Sequence, residues 1–352
     1  MLDTIKLCIP LCHCKINNTN IFTPNIGTYL KRRVKYICNP NYKTHKLYLP
    51  KLTAFRDYNN ENQLLIEFSA PKLLFGNNFD ELETKNFLNV INTLYDRLKY
   101  IGIDIEYEYL QNAKIFGIHF SKNIALEHVA VSNILNTIEK LNITQRLDIT
   151  KTDYKNGGKA IRFHANSYEL TFYDKVADLK QSLISEKRAI ENDNIIQQNL
   201  LNRFVGKEIL RMEVRLNKSK KIVDVLHKCG IENIELNFKQ LFDENISKRI
   251  LNYFWNEYIG KSIYVVCQSF NANDIIYSKC LMAGFSQSKA LKIVGIMATI
   301  QNNGCRKIKE IVKQSFNKFL KDIELLNLDD NFLLKQFSNI RTKLQRMYPL
   351  KI

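Results

Sequence analysis

With 352 residues, 45% of them apolar and 25% charged, the sequence has the make-up of ordinary globular protein, enough for about two domains at roughly 150 residues each. Against 35 Asp and Glu stand 52 Lys and Arg, a formal charge of +17 that asks for an acidic partner, nucleic acid first, and exceeds what solubility alone requires. No apolar run nears the ~18 residues of a membrane span. The opening MLDTIKLCIP carries Asp3, Lys6 and Pro10 where a signal peptide needs an unbroken apolar stretch, so a soluble, cytoplasmic chain is expected.

In chain order, Leu64 to Phe68 alternates as a short strand. Asp80 stands three residues before Glu83, a capping-box spacing that opens a helix. Phe87, Ile91, Leu94, Leu98 and Ile101 give that helix one apolar stripe, and Gly102 ends it. A strand region through Ile103 to Phe120 follows, then an amphipathic helix with Val131, Leu135, Ile138 and Leu141 on one face. Ile161 to Phe163 and Glu169 to Tyr173 read as a hairpin across His164-Ala165-Asn166-Ser167, because Asn and Ser favour turn geometry. A long charged helix from Val176 leads to a strand over Glu208 to Leu216.

Beyond Leu216 helices dominate. The expected fold is α+β: a largely antiparallel sheet with flanking helices, built from a strand-helix-strand repeat, followed by a mainly helical C-terminal domain. The expected domains are 1–216 and 217–352, the second helix-turn-helix or winged-helix-like. Within it, Asp274 to Met282, a Gly284 break, Ser286 as N-cap and a helix through Met297 have helix-turn-helix spacing. A further helix, Arg306 to Lys321, carries its cations around Ile308, Val312, Phe316 and Phe319. Such a face is either simply solvated or tracks phosphates, and the net charge favours the second. Lys289, Lys292, Arg306, Lys307, Lys309 and Lys313 are the candidate DNA contacts.

The eight cysteines, at 8, 12, 14, 38, 229, 267, 280 and 305, lack the regular spacing of a disulfide framework, so reduced thiols are expected. Cys12-His13-Cys14, with Cys8 and Cys38 near, holds zinc-type ligands but not the C-x2-4-C pairs that structural zinc sites use.

Two segments place polar groups on one strand face. By period two, Tyr173 shares a face with Thr171 and Lys175 while Leu170 and Phe172 point to the core. In the later strand Met212 and Val214 point inward, so Arg211, Glu213 and Arg215 point the other way. Two Arg, a Glu, a Lys and a Tyr suit a phosphodiester, because cations bind the phosphate and a carboxylate can hold a divalent metal. A tyrosine with an ordinary pKa near ~10 attacks phosphorus only if a cation or metal favours the phenolate. Such attack conserves the broken bond in a phosphotyrosine ester, which permits rejoining without ATP. Against this, one Tyr among 17 is usually structural, and Arg-x-Glu-x-Arg is commonly a ladder of cross-strand ion pairs.

The sequence resembles the filamentous-phage gene II and gene X family of phage and plasmid replication initiators, which begin rolling-circle replication by nicking one strand. The similarity runs in order through MLDTIKLCIP, Glu67-Phe-Ser-Ala-Pro-Lys72-Leu-Leu-Phe-Gly76-Asn-Asn78, Lys114-Ile-Phe-Gly-Ile-His119-Phe-Ser, Leu170-Thr-Phe-Tyr173-Asp-Lys175 and Leu210-Arg211-Met-Glu213-Val-Arg215-Leu, then into the helices at Ala290 to Leu320. The resemblance implies Tyr173 as nucleophile with Lys175 and Arg211 as catalytic partners. It implies Mg2+ or Mn2+ held by Glu213, with His119 and His164 as further candidate ligands. Where family members commonly have an acidic residue, this chain has Gly117-Ile118-His119, so His119 either substitutes as a ligand or the position binds no metal. His164, in a turn, is equally suited to bonding backbone. The paired His-hydrophobe-His motif of the best-known nicking enzymes is missing. The implied partner is origin DNA, duplex and single-stranded, with a host helicase or polymerase beyond it, in a bacterial cytoplasm. The rival expectation is a non-catalytic DNA-binding protein, an origin binder or repressor, which needs the basic helices but has no use for Tyr173, Lys175 and Glu213 together.

Overall fold

Every second residue of Leu210, Met212, Val214 and Leu216 is apolar and fully buried, while Arg211, Glu213 and Arg215 between them take the opposite side of the strand. That division of faces organises the whole molecule. The computed structural model describes residues 1–24, 35–57, 59, 61–141, 147–184, 193–260, 262–328 and 331–346.

Its strands are β1 (Leu2–Pro10), β2 (Cys14–Ile16), β3 (Thr23–Pro24), β4 (Tyr36–Cys38), β5 (Lys51–Arg56) and β6 (Asn62–Ser69). They continue with β7 (Ile103–Ile105), β8 (Lys114–Leu126), β9 (Asp148–Asp153), β10 (Lys159–His164), β11 (Tyr168–Asp174) and β12 (Glu208–Leu216). Ten of them form one sheet in the order β3-β4-β5-β6-β1-β8-β12-β11-β10-β9, every described pairing antiparallel. β2 and β7 pair separately. The fold is therefore the expected α+β, an antiparallel sheet with helices and a mainly helical C-terminal region.

The apolar face of β8, β11 and β12 is covered by helices Val131–Glu139, Glu244–Trp255 and Phe332–Arg346. Phe172 meets Trp255 edge-on at 6.2 Å, and Trp255 meets Phe337 at 6.0 Å, so the aromatic core passes from sheet to last helix. Each such fully buried side chain contributes roughly 1.5–3 kcal/mol of transfer free energy. One apolar cluster runs unbroken from Met1 to Leu344. The expected boundary at 216/217 marks a change of element type, with the core continuous across it.

The other face is polar, and a small separate apolar cluster covers one end of it. Ile209 of β12 packs there with Val176 and Leu179 of helix Lys175–Ile184, Leu200 of helix Asn194–Arg203, Phe204 just after that helix, and Phe79 from the loop before residue 80. Phe79 and Phe204 stack with centroids 3.9 Å apart. This cap is what buries the polar residues next to Ile209.

Several sequence expectations need correction. The capping box is made not by Asp80 but by Glu83 and Asn86, and it caps the 3-10 turn Thr84–Asn86 that leads into helix Phe87–Tyr100, the Asn86 side chain accepting from the Glu83 N–H at 2.8 Å; Asp80 instead pairs with Arg203 at 3.1 Å. Ile103 to Phe120 is not one strand region but β7, a helix Tyr107–Gln111 and β8, which runs on to Leu126. The charged helix from Val176 is helix Lys175–Ile184 followed, after residues 185–192 that lie outside the described ones, by helix Asn194–Arg203. Arg306 to Lys321 is not one helix: Arg306 lies in helix Gln287–Val312, which kinks at Gly304, Lys313 takes φ 45°, and a new helix runs Phe316–Leu325. Gly304 has φ 78°, and a Cβ there would sit 3.1 Å from the Lys140 carbonyl oxygen, which accepts from the Cys305 N–H.

Candidate functional site

Register brings the expected residues together. Tyr173 of β11 pairs with Arg211 of β12, Thr171 with Glu213, and on the other side Glu213 with Ser121, Arg211 with Asn123 and Arg215 with His119 of β8. Because opposed residues share a face, these side chains form one polar patch across three strands.

The Tyr173 hydroxyl donates to Glu213 Oε1 at 2.8 Å. Arg211 Nε donates to the same oxygen at 2.7 Å, and Arg215 Nε and Nη2 donate to Oε2 at 3.0 and 2.7 Å. Burial alone would raise the Glu213 carboxyl, but Arg211 and Arg215 outweigh it and hold the group well below the usual carboxylate range. Burial pushes the Tyr173 phenol well above its ordinary value, with Arg211 opposing.

Arg211 is 2% exposed, and its donors go to Glu213, to Asp3 Oδ2 at 2.9 Å, to Ser121 Oγ at 3.0 Å, to Asn123 Oδ1 at 3.1 Å and to the Asn78 carbonyl at 3.0 Å. A guanidinium has five N–H donors, so it is fully engaged in holding β1, β8 and β12 together. Arg211, expected as a catalytic partner, has no donor left for a phosphate in this arrangement. Lys175 does not continue the strand face: β11 ends at Asp174, and Lys175 begins the next helix. Its Nζ nevertheless lies 5.7 Å from the Tyr173 ring centroid, donates to Asn78 Oδ1 at 2.9 Å and sits 3.5 Å from Asp178. Burial lowers its pKa to about 8.

Tyr173 and Glu213 open onto a polar cavity of about 300 Å³ that is also lined by Asp3, Lys72, Arg162 and Arg215. A neighbouring cavity of about 510 Å³ shares Asp3, Lys72 and Asn78 with it. Asp3, Asn78, Ser121, Asn123 and Arg162 were not singled out from the sequence. Asp3 and Asn78 are far from Arg211 in the chain, and only the pairing of β1, β8 and β12 joins them.

The three expected metal ligands do not converge. Both Glu213 oxygens have their lone pairs taken up by four donors, which leaves no room for a cation in this arrangement. His119 lies beside Arg215 with Nε2 3.4 Å from Asn217 Oδ1, and burial and Arg215 lower its pKa. His164 sits on β10, with β11 between it and Glu213, and its Nε2 is 2.9 Å from Thr150 Oγ1. No group of three or more His, Cys, Asp or Glu forms a metal site among the described residues. A divalent ion at Glu213 does not fit these residues. In the cysteine cluster, Cys14 donates to the Pro10 carbonyl, with burial raising its pKa to about 12, and His13 stacks on Tyr109.

The helix-turn-helix spacing is present: helix Asn273–Met282, Gly284 at φ 78°, then helix Gln287–Val312, whose N-cap Ser286 accepts from the Lys289 N–H. Lys289, a candidate DNA contact, is spent internally. Its Nζ binds Asp322 at 2.8 Å and lies 3.6 Å from the Phe285 ring centroid. Arg306 is 3.9 Å from Glu310 and half-buried, as is Lys309, whereas Lys292, Lys307 and Lys313 are exposed.

The chain matches no protein-family model, no curated protein and no solved structure. Fold and site together define an antiparallel α+β protein with a buried Tyr-Glu-Arg cluster beside a polar cavity lined by charges of both signs. None of its described helices is long and apolar enough to cross a membrane.

Proposed function

We propose that this chain nicks and rejoins single-stranded or locally melted origin DNA through Tyr173, as a rolling-circle replication initiator of the gene II and gene X type would. The observation that carries the reading is Tyr173, hydrogen-bonded to Glu213, in the lining of a polar cavity where Lys72, Arg162 and Arg215 stand among Asp3, Asp178 and Glu213. That cavity takes a phosphodiester group, and guanidinium forks match its oxygens.

In the proposed step Tyr173 Oη forms a bond to phosphorus, one P–O ester bond to the adjoining sugar breaks, and the departing sugar oxygen takes a proton from solvent water. The phenolic proton passes to Glu213 Oε1, its hydrogen-bond partner. Phosphate that draws Arg215 off Glu213 Oε2 raises the basicity of that carboxylate just when the phenol must lose its proton. Lys175 beside the ring favours the phenolate. Reversal of the same step rejoins the strand. No part of this route passes through a metal.

The rival reading, a DNA-binding protein without chemistry, is favoured by the complete internal engagement of Arg211. Incubation with supercoiled plasmid carrying the cognate origin separates the two. Nicking predicts relaxed product with protein bound to the nicked end after denaturation, lost in Tyr173→Phe with DNA binding retained. Equal nicking by the Phe variant would remove Tyr173 from the mechanism.

A further inference from the structure

A larger cavity, of about 810 Å³, lies farther along the same sheet face. Lys6 and Cys8 of β1 share that face with Glu67 and Gln63 of β6, and Cys8 and Gln63 line the cavity. Its walls are aromatic. His13 stacks on Tyr109 with centroids 3.9 Å apart and planes 20° apart, and Tyr109 remains 40% exposed. Phe116 is 41% exposed.

Phe116 is placed there by a backbone irregularity. Lys6 pairs with Gly117 but the next residue, Leu7, pairs with Ile115, so Phe116 is the extra residue of a β-bulge on β8. Bulges re-aim side chains and gather beside functional sites. Lys114, two residues before it, and Arg56 bring exposed cations to the same cavity. The two carboxylates that also line it are tied into their own turn: Asp57 Oδ1 accepts from the Asn59 and Glu61 N–H groups, and Gln63 Nε2 reaches Asp57 and Glu61.

Half-exposed aromatic faces next to cations are the ingredients of single-strand recognition, since bases stack on the rings and phosphates seek the charges. From Phe116 to Ser121, which is opposite Glu213, is five residues of strand, or ~17 Å, within reach of one short strand that also enters the Tyr173 cavity. We infer that this cleft is a nucleobase site for single-stranded DNA, holding unstacked bases on Phe116 and on the His13–Tyr109 pair while Lys114 and Arg56 take the flanking phosphates. The inference rests on the proposed nicking function only in that the strand held here is the one presented to Tyr173.

The test uses the whole protein and a fluorescein-labelled oligothymidine, with affinity read by anisotropy. Phe116→Ala and Tyr109→Ala should each weaken single-strand binding roughly 5- to 150-fold, the range expected for loss of one base–aromatic stack, while Phe116→Tyr restores it and binding to a duplex of equal length is unchanged. Unchanged single-strand affinity in both Ala variants overturns the assignment. Full competition by thymidine monophosphate at the same nucleotide concentration overturns it in favour of a free-nucleotide site. The nicking reading fails separately: strand binding that depends on Phe116 without any covalent product leaves this cleft standing and removes Tyr173 chemistry. Covalent product with Phe116-independent binding does the reverse.

Discussion

Tyr173 and Arg211 share one oxygen: the phenol and the guanidinium Nε both donate to Glu213 Oε1, at 2.8 and 2.7 Å. The carboxylate is thereby fixed in place, and the phenol is aimed by a group that is itself held from β1, β8 and β12. A residue that the alternation places on a polar strand face is, in the fold, 7% exposed and tied into a buried ionic network.

Removal of the phenol oxygen should therefore be mild. In Tyr173→Phe, Glu213 keeps its arginine donors, and the loss is one charge-assisted hydrogen bond, about 1.5–3 kcal/mol at most. Urea denaturation measures it. A loss well beyond that range would mean that the tyrosine is mainly a structural element and would weaken its assignment as nucleophile.

Arg211→Met should be severe. It leaves Asp3 and Glu213 as buried carboxylates, one without its arginine and one with Arg215 alone, and breaking such a network typically costs ~3–5 kcal/mol. The pH dependence has a definite sign. Glu213 is held below its unfolded pKa, so its stabilisation is present above about 4.5 and is lost as pH falls through the folded value. The wild type should lose stability on that acid limb, and the variant should show a shallower one. Denaturation midpoints from pH 2 to 6 for both chains decide it.

Period-two alternation made the hairpin of β10 and β11, and the strand β12, legible, because in each one face is packed and the other is not. It failed on β8. There Ser121, Lys122 and Asn123 are buried polar residues, so the apolar signal stops at Phe120 while the strand runs to Leu126. Their burial has a cause that only the assembled sheet reveals: Ser121 and Asn123 accept from Arg211, and Lys122 pairs with Glu81. Asp3 was hidden for the same reason, lying 208 residues from the arginine it binds. The face shared by Tyr173 and Glu213 was readable locally; the network that closes it was not.

Lys175 gives a prediction on the alkaline side. Burial holds its pKa near 8, below the ordinary 10.5, so between those values the unfolded chain binds more protons than the folded one and stability from this group rises with pH. Lys175→Met should remove that rise. The stability of the Met variant relative to wild type should stay level below about pH 8 and fall steadily from there to 10.5. If Lys175⁺ also favours the phenolate, nicking by the wild type should decline above about pH 8. A relative stability that stays flat from pH 7 to 10.5 would show that the ammonium is not desolvated.

On the proposed DNA-binding reading, the cations of the basic helices divide into those paired inside the fold and those in solvent that could meet phosphates. Lys289 is bound to Asp322 and packed on Phe285, whereas Lys292 and Lys307 stand in solvent. Each phosphate neutralised contributes about −0.9 to the log–log salt slope of duplex affinity. Lys292→Ala together with Lys307→Ala should then flatten that slope by up to about two units and weaken all sequences alike. Lys289→Ala should leave the slope unchanged and lower the thermal midpoint, because it removes a half-buried ion pair and a cation–π contact worth roughly 1 kcal/mol between them. Salt titrations of duplex binding for the double variant and for Lys289→Ala, with melting curves alongside, distinguish the roles. A slope that changes with Lys289 and not with the other two would place the phosphate track on the side of the helix that faces Asp322.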